Sequence, residues 1–149
     1  MSSHLEQAAR LAREGVESGQ GGPFGALVVD AAGAVIGAAC NRVLGQRDPT
    51  AHAEIEAIRE ACATIGDYRL TGCTIYTTCE PCPMCLAAIH WARIEKIVYA
   101  LTRADAAAIG FDDELLYRAM QAPLIPMERE ECPEAEEAFR LWDPNHVRY

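Results

Sequence analysis

The chain is predicted to fold as a three-layer α/β/α sandwich on a mixed, mostly parallel five-stranded sheet. Apolar segments of strand length alternate with segments of helical apolar spacing, which is typical of this class. The 149 residues are enough to bury a core, and 50% of them are hydrophobic. No internal repeat or linker is visible. We therefore expect a single domain over residues 1–149, with residues 133–149 as a C-terminal helix and tail.

The first third of the chain predicts a helix followed by a β-hairpin. Apolar residues recur at helical spacing from Leu5 to Val16. After a glycine-rich break, residues 26–29 form a short buried strand, residues 30–33 a turn, and residues 35–40 the return strand. Asn41 follows directly, at the end of that strand.

The middle of the chain predicts two helices that alternate with two strands. Asp48-Pro49 indicates a helix start, because an N-cap side chain precedes a proline at the first helical position; the apolar face then continues to Gly66. Residues 73–77 form the third strand, Pro81 opens the next helix, and residues 96–101 form the fourth strand. A strand, a helix and a strand with a short return predict a parallel, right-handed crossover.

The last third is less regular. A short helix through Met120 follows residues 110–113. Residues 124–127 predict a weak fifth strand, which Pro126 places at an edge of the sheet. A final helix begins at Pro133.

The charge and the cysteines restrict the partners and the compartment. The formal net charge is −9 and the isoelectric point is about 4.8. Residues 128–137 carry −5 of this charge, and the other residues contain no basic cluster. Because polyanion binding depends on clustered Lys and Arg, a nucleic-acid partner is disfavoured. No apolar run reaches the length of a membrane span, and seven cysteines without a secretion signal predict a reducing, cytoplasmic location.

Two motifs carry the chemistry: His52-Ala53-Glu54 and Pro81-Cys82-Pro83-Met84-Cys85. One imidazole and two thiolates, from His52, Cys82 and Cys85, suit one Zn²⁺ per chain, and three protein ligands leave the fourth position open, as in catalytic zinc sites. Glu54 lies two residues after His52, so on a helix its side chain points in a different direction from the imidazole. It is therefore placed to exchange protons with a zinc-bound water. This pattern is the signature of zinc deaminases.

Other interpretations of the same motifs remain open. A lone Cys-x-x-Cys is often a redox pair, and a lone His-x-Glu is often only a helix face. Cys79 could also supply a fourth ligand and close a structural zinc site in a non-catalytic binding module. The order of the two motifs, their place at helix starts and the presence of the glutamate favour a catalytic site.

With these elements placed, the chain resembles the cytidine deaminase-like superfamily, and within it the small zinc-dependent guanine deaminases of bacteria. The likeness extends from the first helix to about Tyr117. The stretches that carry it, besides the two metal motifs, are Gly21–Gly25, Asn41, Asp48–Ala51, Cys79-Glu80, Gly110–Asp113 and the terminal Tyr149. The zinc motif indicates only the superfamily. Gly110–Asp113 and Tyr149 narrow the resemblance to guanine deaminases. Between about Gln121 and Glu137 the sequence is shorter and more acidic than the family pattern.

The resemblance implies a zinc-dependent hydrolase that converts guanine to xanthine and ammonia. Glu54 would shuttle protons, and Asp113 would be a second proton carrier near the amino group that leaves C2. Asn41 would hydrogen-bond the purine and Phe111 would stack against it. The substrate-binding residues implied by the family are Asn41, Phe24, Ala53, Phe111 and Tyr149.

The resemblance also implies a homodimer with exchanged C-terminal tails. The last helix carries Phe139 and Trp142 three residues apart, and such an apolar face needs something to cover. Tyr149 would then contact the base bound to the other chain.

Several assignments stay open at the level of sequence. Asn41 at a strand end could equally satisfy a turn, and Asp113 could be an ordinary acidic residue at a helix N-terminus. The same zinc chemistry also suits guanosine, cytosine, isocytosine, an aminotriazine or tRNA adenosine.

Overall fold

The computed structural model describes residues 3–121, 124, 126–127 and 129–142. The strands are β1 (Gly25–Val29), β2 (Val35–Cys40), β3 (Thr74–Cys79) and β4 (Lys96–Leu101). The helices are α1 (Ser3–Glu17), α2 (Val43–Gln46), α3 (Ala53–Ile65), α4 (Pro83–Trp91), α5 (Arg103–Ala108), α6 (Glu114–Gln121) and α7 (Pro133–Leu141). The described residues form two compact units, one up to Asp113 and one from Glu114 onward. The single domain over residues 1–149 stays a prediction.

The sheet lies in the first unit and has the strand order β2-β1-β3-β4. β1 pairs antiparallel with both β2 and β3, and β3 pairs parallel with β4. The α/β class and the parallel crossover through α4 are therefore confirmed. The expectation of a mostly parallel sheet is wrong, because two of the three pairings are antiparallel. Apolar patterning specifies which face of a strand is buried, but it does not specify the direction in which the strand runs.

The expectation of five strands is also wrong for the part of the chain that is described. Leu124, Pro126 and Met127 lie in no strand, and Ile125 lies outside the described residues. Pro126 has no backbone N–H to donate to a neighbouring strand, which removes one ladder bond from an already short segment.

Helices cover both faces of the sheet, as the three-layer prediction requires. Ala26 and Val28 of β1 pack in a core with α3 and α4, whereas Leu27 and Val29 pack with α1 on the opposite face. This alternation follows from the two-residue period of a strand. At Gly37 of β2 a Cβ atom would overlap the carbonyl oxygen of Ala57, so the glycine allows α3 to lie directly on the sheet.

Helices α3 and α4, which carry the two candidate metal motifs, begin later than predicted. Helix α3 begins at Ala53 with His52 as its N-cap residue, not at Asp48-Pro49. The carboxylate of Asp48 accepts hydrogen bonds from the backbone N (2.8 Å) and the hydroxyl (2.7 Å) of Thr50, which closes a turn ahead of the helix. Helix α4 begins at Pro83, with Cys82 as its N-cap residue.

Two short helices, α2 and α5, were not predicted. Four and six residues are too few to display a helical apolar period, so the sequence carries no clear signal for them. Within the described ranges, no helix is both long and apolar enough to cross a bilayer.

Candidate active site

The three candidate ligands meet where α3 and α4 begin. The Nδ1 atom of His52 lies 3.4 Å from the Sγ atom of Cys85 and 3.6 Å from the Sγ atom of Cys82. His52 and Cys82 are the N-cap residues of the two helices, and neither side chain makes a capping hydrogen bond. Their ligand atoms are therefore directed to each other and not to the helix ends, and Cys85 joins them from the first turn of α4.

These separations fit a tetrahedral zinc ion. With Zn–N near 2.1 Å and Zn–S near 2.3 Å, a tetrahedral angle places nitrogen and sulfur about 3.6 Å apart. Among the described residues, His52, Cys82 and Cys85 form a group of possible metal ligands, with all three ligand atoms within 4.8 Å of one another. Cys79 is not part of this group, and its Sγ atom lies 3.5 Å from the carbonyl oxygen of Thr102. The residues present thus form an open three-ligand site.

Hydrogen bonds within the cluster divide the protons unequally between the two thiols. The hydrogen bond from Cys85, aided by His52, lowers the pKa of Cys82 to about 4. The same neighbouring Cys82, together with burial, raises the pKa of Cys85, and the hydrogen bond to Cys82 raises the pKa of His52. Because zinc binds thiolates and neutral imidazole, we expect metal binding to release protons from this cluster.

Glu54 lies directly beside this cluster and is 6% exposed. Its Oε2 atom is 3.6 Å from the Sγ atom of Cys85, and its Oε1 atom is 3.3 Å from the hydroxyl of Thr77. Burial raises the pKa of the Glu54 carboxyl group. A carboxyl group with a raised pKa beside a cluster of metal ligands is suited to exchange protons with a metal-bound water.

Asn41 is buried at the end of β2, and its contacts are those of a turn residue. Its Oδ1 atom accepts a hydrogen bond of 3.0 Å from the backbone N of Val43, and its backbone N donates to the carbonyl of Phe24 at 3.0 Å. A Cβ atom at Gly21 would overlap the Asn41 Oδ1 atom, so the glycine is needed at that position. Asn41 thus makes the contact of a turn residue through Oδ1, and its amide nitrogen can still donate to a ligand.

An aromatic pair lies next to this turn. The rings of Phe24 and Phe111 meet edge to face, with centroids 5.0 Å apart and an interplanar angle of 88°. A Cβ atom at Gly22 would lie 3.0 Å from both rings, so a glycine there lets the two rings approach. Ala53 is fully buried next to His52, and Tyr149 lies outside the described residues.

Asp113 is held by an arginine that the sequence did not single out. The Nε atom of Arg103 donates to the Oδ1 atom of Asp113 at 2.9 Å. Thr77 was not predicted from the sequence either. A polar residue at an inward position of β3, two residues after the buried Ile75, was the available signal for Thr77. Arg103 had no such signal, because its contact with Asp113 depends on how the loop folds.

A model of the family described as the cytidine and deoxycytidylate deaminase zinc-binding region matches residues 1–101. This chain belongs to that family. Membership in this deaminase family accords with the α/β fold and with Zn²⁺ as the cofactor, for which His52, Cys82 and Cys85 are placed as ligands.

Within the deaminase family the chain is similar over nearly its whole length to a guanine deaminase from Bacillus subtilis (strain 168). The two are 47% identical over 142 residues, which cover 93% of this chain and 90% of that protein. The X-ray structure of guanine deaminase from Bacillus subtilis superposes with a TM-score of 0.89 at 44% identity, and the match covers 100% of this chain and 98% of that one.

Two further relatives differ in their ligands or substrates. A solved structure in complex with 2,6-diaminopurine has a TM-score of 0.71 at 35% identity and covers 74% of this chain and 61% of that one. A tRNA-specific adenosine deaminase from Haemophilus influenzae is 45% identical over 96 residues, which are 61% of this chain and 56% of that protein. The similarity to the tRNA enzyme is thus confined to a smaller part of both chains.

Proposed function

We propose that this protein is a guanine deaminase, a zinc-dependent hydrolase that converts guanine and water to xanthine and ammonia. The observation that carries the proposal is the buried Glu54 beside an open cluster of His52, Cys82 and Cys85, in a chain with a near full-length likeness to a guanine deaminase. When bound, Zn²⁺ lowers the pKa of a coordinated water to about 7 and so supplies a nucleophile at neutral pH.

The protein groups then have to move the protons. Glu54 takes a proton from the attacking water and delivers it to a ring nitrogen of the base as the new C–O bond forms at C2. Asp113 serves as a second proton carrier near the amino group that leaves C2, and protonation of that group lets ammonia depart. The ion pair with Arg103, in which Nε lies 2.9 Å from Oδ1, holds the Asp113 side chain in one orientation for this task.

The base lies, in this proposal, between the turn at Asn41 and the aromatic pair. The Oδ1 atom of Asn41 is committed to Val43, so its amide nitrogen donates to the purine. Phe111, which is 47% exposed, offers ring area for stacking, and its orientation depends on Phe24. The remaining substrate-binding residues that we propose are Ala53 and Tyr149.

We infer further that the enzyme acts on a free base and not on nucleic acid, and that it acts in the cytoplasm. The net charge of −9 without a basic cluster supports the first point. Seven cysteines, all free thiols in the described chain, support a reducing compartment.

We also propose one functional domain over residues 1–149 that works as a homodimer with exchanged tails. Phe139 and Trp142 are 85% and 51% exposed, which supports a partner for the last helix. Residues 143–149 lie outside the described residues, and the proposal assigns them to the mouth of the other chain's site.

Release of ammonia from guanine, guanosine, cytosine, adenine and tRNA tests the substrate. We expect turnover with guanine above that with the other substrates, and loss of turnover after chelation, with recovery on adding Zn²⁺. Activity on tRNA that survives moderate salt, without activity on guanine, would favour a tRNA adenosine deaminase. No turnover on any substrate in the zinc-loaded protein would favour a non-catalytic zinc module.

A further inference from the structure

Thr77 is a buried polar residue in β3 that has no part in the proposed ligand set or substrate site. It is 1% exposed, on the sheet face that α3 and α4 cover. A hydroxyl group in such a position destabilises the fold unless it is hydrogen-bonded. The partners of this hydroxyl group are therefore informative.

The hydroxyl oxygen of Thr77 lies between two acceptors. It is 3.3 Å from the Oε1 atom of Glu54 and 3.1 Å from the carbonyl oxygen of Cys79. A hydroxyl group has one proton to donate, so it serves these two oxygens alternately or as a shared donor. The other carboxyl oxygen of Glu54, Oε2, lies on the side of the metal cluster, 3.6 Å from the Sγ atom of Cys85. The two oxygens of Glu54 thus have different environments.

We propose that Thr77 is a positioning residue for Glu54. Its hydroxyl group donates a hydrogen bond to Oε1. Oε2 then faces the metal ligands and is the oxygen that exchanges protons. The proposal rests on the proposed function, in which Glu54 shuttles protons. An unrestrained glutamate samples several side-chain rotamers, and proton transfer requires one orientation at hydrogen-bond distance.

The contact suits both protonation states that a shuttle passes through. When Glu54 is ionised, Oε1 accepts from the hydroxyl group as a carboxylate oxygen. When Oε2 carries the proton, Oε1 is still a carbonyl-type acceptor, so the hydrogen bond from Thr77 persists. The carboxyl group therefore keeps its orientation while it takes up and delivers a proton.

A purely structural role makes a different prediction. If the hydroxyl group of Thr77 serves only the carbonyl of Cys79, its loss weakens the end of β3 and the loop that leads to Cys82. Stability and zinc content would then fall together with activity. If Thr77 positions Glu54, kcat falls while zinc content and KM stay near their wild-type values, because substrate and metal contacts are untouched.

The test compares zinc-loaded Thr77→Val, which keeps the shape and loses the hydroxyl group, with Thr77→Ser, which restores the hydroxyl group. We expect kcat on guanine to fall about ten-fold in the valine variant, as loss of one buried hydrogen bond allows, and to recover within about three-fold in the serine variant. Thr77→Ala is a second hydroxyl-free variant in case valine impairs folding. Thr74→Val, at the other end of the same strand, is the control and should keep wild-type kcat.

The pairing with Glu54 is tested by a double variant. If Thr77 acts through Glu54, adding Thr77→Val to Glu54→Gln costs little further activity. An unchanged kcat in Thr77→Val, an equal loss in Thr77→Ser, or a loss of zinc in both hydroxyl-free variants would overturn the proposal. Absence of guanine turnover in the wild-type protein, or full turnover in Glu54→Gln, would instead overturn the proposed function, so the two failures are distinguishable.

Discussion

The side chain of Arg103 donates a hydrogen bond of 2.9 Å to Asp113, while its backbone N donates to the carboxylate of Glu80 at 3.0 Å. Glu80 comes two residues before Cys82, which is a candidate metal ligand. Arg103 therefore connects Asp113 to the loop between β3 and α4, which leads to Cys82. The position of Asp113 depends on this link.

Replacement of Arg103 tests that dependence. We expect Arg103→Gln to lower kcat on the order of ten-fold, because a displaced catalytic group loses productive geometry. The free energy of unfolding should change by less than about 1 kcal/mol, since both side chains are partly exposed. Arg103→Lys keeps the charge but lacks the planar guanidinium donor. Its kcat should lie between those of the wild type and Arg103→Gln. Steady-state kinetics with zinc quantitation measures this, and an unchanged kcat in Arg103→Gln would contradict it.

Replacement of Glu54 separates proton transfer from metal binding. Glu54→Gln should keep about one zinc per chain and lose turnover by about 10²–10⁴-fold, the usual contribution of a positioned proton carrier. Metal analysis and ammonia release are measured on the same sample. If the variant fails to hold zinc, Glu54 is part of the metal site and our assignment is wrong.

The buried carboxyl group of Glu54 also predicts a pH-dependent stability of the protein without metal. Because burial raises its pKa above the ordinary 4.5, ionisation of Glu54 opposes folding, and this cost appears as the pH rises through 4.5 toward the raised value. Metal-free Glu54→Gln should therefore unfold at a higher temperature than metal-free wild type near neutral pH. The difference should vanish as the pH falls below 4.5. Thermal unfolding across this range measures it, and a constant difference would exclude ionisation of Glu54 as the cause.

Removal of one cysteine tests the coupling between metal and fold. Cys82→Ala should lose most bound zinc and unfold at a lower temperature, since a metal bound only by the folded state stabilises it. Cys132→Ala is the matched control, because Cys132 is exposed and lies outside the ligand group. Equal zinc content in the two variants would show that Cys82 is not a ligand.

Deletion of residues 143–149 tests the proposed tail. We expect a sharp fall in turnover with unchanged zinc content and unfolding temperature, because water then enters the site. If tails are exchanged, mixing the truncated chain with full-length Glu54→Gln should restore activity. Each hybrid dimer would then combine an intact Glu54 with a tail from its partner. Full activity of the truncated chain, or no recovery on mixing, would contradict the proposal.

The group of candidate metal ligands and the helices that carry it could be predicted from residue types and spacing alone. His52, Glu54, Cys82 and Cys85 were assigned from residue type and short spacing, and both motifs do lie at helix starts. Such motifs are readable because ligand chemistry demands particular side chains, and because a helix places residues three apart on one face. The burial of β1 was also predicted from its continuous apolar sequence, and all five of its residues are buried.

The directions of strand pairing and the contacts across the site could not be predicted in this way, because they depend on how distant segments pack. Asp48 was predicted to cap a helix but closes a turn instead. Its carboxylate accepts hydrogen bonds from the backbone N and the hydroxyl of Thr50. The contacts of Thr77 with Glu54 and of Arg103 with Asp113 join residues 23 and 10 positions apart. No local pattern encodes such pairs, because they form only after the sheet, the helices and the loop have packed. The sequence therefore indicates the candidate reacting groups, and the packing determines which neighbours contact them.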